Sequence, residues 1–531
     1  MRRSLALALL LMLFSGPELA AQLIDDALVP NGRVRLQMFP AHTRWESRFG
    51  ITESGIALRE HLGSDLTSST PETLFPGANA LVSAIEELSP QGWEGATYTP
   101  ILGETIGRIT QDVTRVNLGG HIGVFDWLTI GGTLPLVRTR TNVDPGFRPD
   151  TLGGNLGLNP TSTDASGVSL FLVEVKNAEV AARQNASQAC SASPSNASCT
   201  SAQALLARAT SFFDSAEKAY SASPFFPIQG SGAATILTQA TTELDADLLA
   251  AGLAGISIPM VFASQWVNQN QFANISNTAN FGIEGAPLGD IRSGWNPGDA
   301  EISATVRILE GSSPAPAFEL PDFSYRLLGT LLGRLPTGTV DNPDFFLDIG
   351  TGDGQADLEG RLLAEMTFKS RLGIAFGGFY GVQMSRTLIR RVASPEVVLP
   401  ALSTRQLVDW NPGEYFSFEL APTFRFSREL SLLGQYSIFK KSTDTYELTG
   451  NSMGASVDPR VMELESGLTL HQIGGTLRYD TVARWHGAGD SGPMQLHLRV
   501  QKAIAGSGGQ APVTTRVEFG VRVFQRFWGA P

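Results

Sequence analysis

The sequence predicts an all-β fold: an antiparallel transmembrane β-barrel of about twelve strands, within a range of roughly 10 to 14, with a helical insertion in one long external loop. Three observations predict it. Apolar and polar residues alternate with a period of two in segment after segment, which gives strands with two chemically different faces. Short and long connections alternate along most of the chain. Aromatic residues collect at the short-connection ends.

The N-terminus comes first. Arg2 and Arg3, the apolar run Leu5 to Phe14 and Leu19-Ala20-Ala21 have the layout of an export signal, residues 1–21, cleaved near Ala21. No Cys follows the cleavage site, which argues against a lipid anchor. The chain carries a net charge of −12, and about −13 after cleavage, which argues against nucleic acid as a partner. No second apolar run is long enough for a membrane helix: Leu248 to Ala263 is broken by Ser257 and Pro259. A membrane passage must therefore use strands. The 56 Gly suit curved, closely packed strands.

Residues 22–140 are expected to hold the first barrel strands and a long external loop. Val34, Leu36 and Met38 alternate with Arg33, Arg35 and Gln37. Val116, Leu118, Ile122 and Val124 oppose Arg115, Asn117, Gly119 and His121; Leu128, Ile130, Leu134 and Leu136 follow. Residues 298–531 supply the remaining strands. Ile302 to Ile308 alternate with Glu301 to Arg307, and Tyr325, Leu327, Leu331 and Leu335 with Arg326, Thr330 and Arg334. Leu358 to Phe368 oppose Asp357, Glu359, Arg361, Glu365 and Thr367, and Leu372 to Val382 oppose a Gly-rich face. Phe416 to Phe426 oppose Tyr415, Ser417, Glu419, Thr423 and Arg425, and Leu430 to Ile438 come next. Ile473, Leu477 and Tyr479 oppose Gln472, Thr476 and Arg478; Met494 to Val500 oppose Gln495, His497 and Arg499. The last strand, Arg516 to Phe527, sets Val517, Phe519, Val521 and Val523 against Arg516, Glu518 and Arg522, with Phe524 on the charged side.

A soluble sandwich also alternates, so connection lengths discriminate. Phe125-Asp126-Trp127, Lys369-Ser370-Arg371 and Ser427-Arg428-Glu429 are tight, whereas 50–105, 141–297, 336–355, 387–412 and 443–467 are long. Outer-membrane barrels have short periplasmic turns and long external loops. Both termini fall on the short-turn side, which requires an even strand number. Phe125, Trp127, Phe368, Phe426, Trp485, Phe527 and Trp528 lie at that side, where rings favour the lipid–water boundary.

Residues 141–297 break the pattern. Ala202, Leu205, Leu206, Ala209, Phe213, Ala216 and Tyr220 share a helical face, predicting a helix over 201–220; a second is expected within 168–188 and a third over 241–253. Cys190 and Cys199 are expected to form a disulfide stapling the hairpin tip. An insertion this long is either a lid or plug over the barrel or an external decoration with its own core.

The segments GDAEISATVRIL (298–309), GRLPTG (333–338), FLDIGTGDGQADLEGRLLAE (346–365) and RLGIAFGG (371–378) resemble the bacterial outer-membrane barrels grouped as transporters of the "meta-pathway of phenol degradation" type, distantly similar to the long-chain fatty-acid channels. The resemblance spans about 103–140 and 298–527. It implies passage of small, often hydrophobic molecules across the bacterial outer membrane. The fatty-acid channels carry a sizeable N-terminal hatch; here only Gln22 to Gly32 precede the first strand, so any plug is expected from the insertion.

The lumen-lining candidates are Arg115, His121, Glu301, Arg307, Arg326, Glu359, Arg361, Glu419, Arg425, Arg478, His497, Arg499, Arg516, Glu518 and Arg522. Charges at such positions either set the selectivity of an open pore or fill a closed one. The acidic run DIGTGDGQAD (348–357) lacks EF-hand spacing and reads as a polar external turn. No nucleophile–base motif, zinc spacing or nucleotide loop occurs, so neither an enzyme nor a cofactor is expected. The leading expectation is a passive channel for small molecules, with outer-membrane lipid, the barrel-insertion machinery and an unidentified small-molecule substrate as partners. The alternative is a closed structural or surface-interaction barrel.

Overall fold

The computed structural model describes residues 28–51, 57–64, 78–93, 97–149, 153–192, 196–274, 277, 283–314, 321–369, 371–395, 397–449, 457–482, 493–508 and 511–528. The export signal and Trp485 lie outside the described residues. Twelve strands form the barrel: β1 Arg33–Trp45, β2 Glu104–Phe125, β3 Leu128–Arg148, β4 Ala300–Ser312, β5 Phe323–Leu335, β6 Asp357–Phe368, β7 Leu372–Gln383, β8 Tyr415–Arg425, β9 Leu430–Lys441, β10 Leu468–Asp480, β11 Met494–Ser507 and β12 Thr515–Arg526. Each pairs antiparallel with its sequence neighbours. The sheet closes where β1 pairs β12, Leu36 opposite Val523 and Met38 opposite Val521. Closure removes both sheet edges, so every wall strand has hydrogen-bond partners on two sides without water.

The surface is inverted relative to a soluble protein. Leu331 is 58% exposed and Ile302 56%, whereas Glu359 and Glu419 are 0% exposed and Arg499 2%. Apolar side chains outside and charges inside are stable only when the outer solvent is lipid. This decides against the sandwich. At the short-turn rim the rings pair: Phe125 stacks on Trp127 at 5.3 Å, and Phe323 meets Phe368 at 5.4 Å and Phe527 meets Trp528 at 5.3 Å.

Most wall strands have 12 to 14 residues, but β2 and β3 have 22 and 21. At about 3.3 Å per residue this hairpin rises well beyond a bilayer. There it carries the insertion. The longer helices are α1 Ala78–Leu88, α2 Ala165–Ala192, α3 Ala197–Ala222 and α4 Gly232–Ala250, followed by a short one, α5 Gln269–Asn274. The helical hairpin α2–α3 is longer than its apolar periodicity predicts, and Cys190–Cys199 close it as a disulfide. Asn196 caps α3 by accepting from the Cys199 amide at 2.7 Å. The expected helix over 241–253 instead begins at Gly232, because Ser231 caps it by accepting from the Ala234 amide. Helix α1, in the first long loop, lies outside the expected elements, although Ala78, Leu81, Ala84, Ile85 and Leu88 form its buried stripe at helical spacing.

One apolar core unites these parts. Leu81 and Ile85 of α1, Phe171 and Val175 of α2, Phe212 and Ala216 of α3 and Leu237 and Leu244 of α4 pack with Trp45, Ile109, Val113 and Val137. Those last four lie on the upper inner face of β1–β3, in register with the lumenal residues below them.

Candidate functional site

The site is the lumen, bounded by what the pleat turns inward. Of the predicted residues, Glu359, Glu419, His497, Arg499, Arg516, Glu518 and Arg522 are buried there. Arg115, His121, Glu301, Arg326, Arg361, Arg425 and Arg478 are half-buried on the same face. Arg307 stands apart: it sits next to the bulge between Arg307 and Leu309, near the short-turn rim, and pairs with Glu310 on its own strand. The bulge follows Arg307, which keeps the inward register opposite Leu328. The sequence reading omitted Arg35, Gln37, Arg334 and Asp357, although the same alternation marks them; they are 3%, 9%, 4% and 3% exposed.

Two walls differ in charge. On β10, β11, β12, β1 and β2 the register brings together Arg478, Arg499, Arg516, Arg522, Arg35 and Arg115, against the carboxylates of Asp480 and Glu518. Glu518 accepts from Arg516 at 2.6 Å, from Arg499 at 3.2 Å and lies 2.9 Å from His497 Nε2. Arg522 donates to the amide oxygens of Gln37 and Gln495, each at 3.4 Å, and lies over the Phe39 ring at 4.9 Å. On β4–β8, charges alternate in sign. Arg334 pairs with Asp357 and lies 3.6 Å from Glu301, Arg361 pairs with Glu359, and Arg326 with Glu365. Tyr415 donates to Glu359 at 3.0 Å. Between these pairs the same strands and β9 turn Leu328, Leu363, Ala375, Phe379, Ala421 and Leu433 inward as an apolar strip.

Among these side chains lies a cavity of about 80 Å³. That is room for several waters or one small organic molecule. It is lined by Arg35, Gln37, Phe39, His121, Thr133, Glu301, Ser303, Thr305, Thr330, Arg361 and Arg522, with Leu328, Leu332 and Leu363 opposite.

Both ends are covered. At the external end the loop after β5 bends over the mouth: Thr141 donates to the Leu347 carbonyl at 2.9 Å, and Phe346, Leu347 and Ile349 join the helical core. Arg391 fixes this cover, donating to the Asp344 carboxylate at 3.0 Å and to the carbonyls of Pro400 at 2.8 Å and Glu284 at 3.1 Å; Arg390 holds Asp341 with two bonds of 2.9 Å. Asp299, just outside β4, accepts from the Gly338 amide at 2.8 Å and the Asp353 amide at 3.3 Å. Burial, reinforced by the charge of Asp353, pushes its carboxyl up to about 6. Among the described residues no cluster suits a metal ion.

At the short-turn end the expectation that any plug must come from the insertion needs correction. Leu28–Pro30, the stretch before β1, tucks into the lumen. Val29 is 1% exposed and its amide donates to Thr129 Oγ1 at 2.8 Å. Gly123 permits the approach: a Cβ there would lie 2.1 Å from the Pro30 oxygen and 2.3 Å from that of Val29. Leu28 packs against the inward apolar strip.

A closed twelve-stranded antiparallel barrel with a lipid-facing apolar surface and a charged interior defines an outer-membrane β-barrel of the bacterial type. No family model matches the chain, and no curated protein matches it in sequence. Solved structures that align with it include an outer membrane channel from Pseudomonas putida F1, at 8% identity over 94% of this chain and 100% of that chain with a TM-score of 0.41. A Pseudomonas aeruginosa FadL homologue aligns at 7% identity over 95% and 96%, TM-score 0.25. The Ralstonia pickettii toluene transporter TbuX aligns at 8% over 94% and 90%, TM-score 0.24. At these scores the likenesses carry no argument about mechanism, and the class rests on the strand pairing and the inverted surface.

Proposed function

We propose that this protein is a passive outer-membrane channel for small molecules, with no catalytic role, whose external cap of helices and loops controls access to the lumen. The observation that carries the reading is the cavity at the centre of the charged interior. A barrel that served only as a wall would gain by closing that space, since unfilled volume among side chains loses contact energy. Hydrogen-bonding groups around it keep it favourable for water and polar solutes. The lumen-lining residues named above set which solutes enter. The insertion at 141–297 acts as a lid, because its core is continuous with the inner face of β1–β3 rather than separate from it. Outer-membrane lipid surrounds the wall, and the terminal strand with Phe527 and Trp528 is the segment presented to the barrel-insertion machinery.

Single-channel recording of the purified protein in planar bilayers tests this. Discrete conductance steps are expected, larger in a variant whose residues 160–250 are replaced by a short Gly-Ser linker. Absence of steps in both proteins would sink the channel reading. That outcome favours a closed structural barrel, the reading supported by the coverage of both ends.

A further inference from the structure

The lumen is amphipathic across its width, and the division runs through the cavity. On one side the register places nitrogen-bearing side chains at two successive inward levels of β1. Arg35 stands opposite His121 in the β1–β2 ladder, and Arg522 stands opposite Gln37 in the β12–β1 ladder. Gly131, opposite His121 on β3, leaves room for the imidazole: a Cβ there would lie 2.1 Å from the ring. The ring lies inside the wall, and its Nδ1 is buried with no hydrogen-bond partner among the described residues. On the other side Leu328, Leu332 and Leu363 are 1%, 3% and 4% exposed and offer only apolar surface. Thr133, Ser303, Thr305 and Thr330 lie between.

Charge within the lining is lopsided. Its one carboxylate, Glu301, lies beside Arg334, and Arg361 pairs with Glu359 just outside the lining. The lining thus holds the guanidinium groups of Arg35, Arg361 and Arg522 against the carboxylate of Glu301. In a chain of net charge −12 this concentration of cations in one wall of the lumen is specific to the site. A low-dielectric surround strengthens the attraction of such a wall for anions. Guanidinium groups match the planar geometry of a carboxylate, and the leucines match an apolar body.

We propose that this cavity is a binding site for a small organic monoanion, a carboxylate on a compact apolar or aromatic body. The carboxylate lies between Arg35 and Arg522 within reach of His121, and the body lies against Leu328, Leu332 and Leu363. This inference rests on the reading of the lumen as a passage, because the occupant must enter it. It goes further in naming the chemical class selected.

Calorimetric titration of the full-length protein in detergent tests the site without requiring conduction. Benzoate is the probe, and benzyl alcohol its neutral counterpart. Benzoate is expected to bind at least about tenfold more tightly than benzyl alcohol, a preference of about 1.4 kcal/mol. The Arg35→Gln/Arg522→Gln double variant is expected to lose that preference and keep benzyl alcohol binding unchanged. Leu332→Asn is expected to weaken both ligands. Arg522→Lys, which keeps the charge, is expected to recover most of the preference. Heat-dependent gel mobility confirms that each variant retains the barrel. Equal affinity of wild type for the two probes, no benzoate binding, or full benzoate preference in the double variant would overturn the proposal. Benzoate binding without bilayer conductance would remove the channel reading and leave this site standing. Conductance without benzoate binding would do the reverse.

Discussion

Glu518 pairs with Arg499, Arg516 and His497, and its removal gives the sharpest test of the lumenal architecture. Its side chain is 1% exposed, and those of Arg499 and Arg516 are 3% and 6%. Glu518→Ala leaves two guanidinium groups facing one another in a region that water reaches poorly. Breaking a buried pair in this way costs about 3–5 kcal/mol. With a urea dependence of about 2 kcal/mol per molar, the unfolding midpoint is expected to fall by about 2 M. The assay is a urea titration of tryptophan fluorescence in phospholipid vesicles. Glu518→Gln, which keeps the shape and an acceptor oxygen but not the charge, is expected to fall between Ala and wild type. The Arg499→Ala/Glu518→Ala double variant is expected to lose less than the sum of the single losses, because each single change strands the other's charge. A midpoint within about 0.3 M of wild type for Glu518→Ala would refute the claim that this carboxylate holds the basic wall together.

Four further outcomes follow from the same geometry. Leu331→Lys places a charge on the lipid-facing surface and is expected to destabilise the barrel in vesicles by about 2–4 kcal/mol; the same change at the inward Thr330 is expected to cost less, which a paired urea titration reads. Cys190→Ser with Cys199→Ser is expected to cost about 2.5 kcal/mol in the helical hairpin, seen as faster proteolysis near 193–195 with unchanged heat-dependent mobility of the barrel. Asp299 has a folded-state carboxyl raised to about 6 by burial, so its contribution is fully favourable below about pH 4 and is lost as pH rises through 6. Asp299→Asn is therefore expected to stabilise the cap at pH 8 by about 1–3 kcal/mol and to change little at pH 4, measured by hydrogen exchange across residues 336–354. Gly123→Val is expected to expel Leu28–Pro30 from the lumen, read as higher conductance and as new protease access to that segment; unchanged access would count against the close approach at Gly123.

Much of the barrel was legible because its information is local. In β12, Val517 and Phe519 face lipid while Arg516 and Glu518 are buried, and alternation over a few residues says as much. The parity of short and long connections placed both termini on one side, and β1 pairs β12 there. Legibility failed where locality failed. The upper inner faces of β1–β3 hold Trp45, Val113 and Val137, whose role in the cap core depends on helices up to about two hundred residues away in sequence. Helix α1 is a separate case: the first long loop is expected as connection only, although Leu81, Ile85 and Leu88 stand there at helical spacing.

By itself the sequence determined that the chain crosses a bilayer as about twelve strands, within a range of roughly 10 to 14, which face each turns to lipid, and that Cys190 and Cys199 staple a helical hairpin. Those follow from the two-residue repeat of a pleated strand and the 3.6-residue repeat of a helix, which act over short distances. Only the tertiary structure decided that the inward charges divide into a basic wall and a wall of mixed sign, that a cavity remains between them, and that Leu28–Pro30 and the loop after β5 cover its ends. The physical reason is register. Which residues meet across a closed barrel depends on how twelve strands are staggered against one another, and no single strand carries that information.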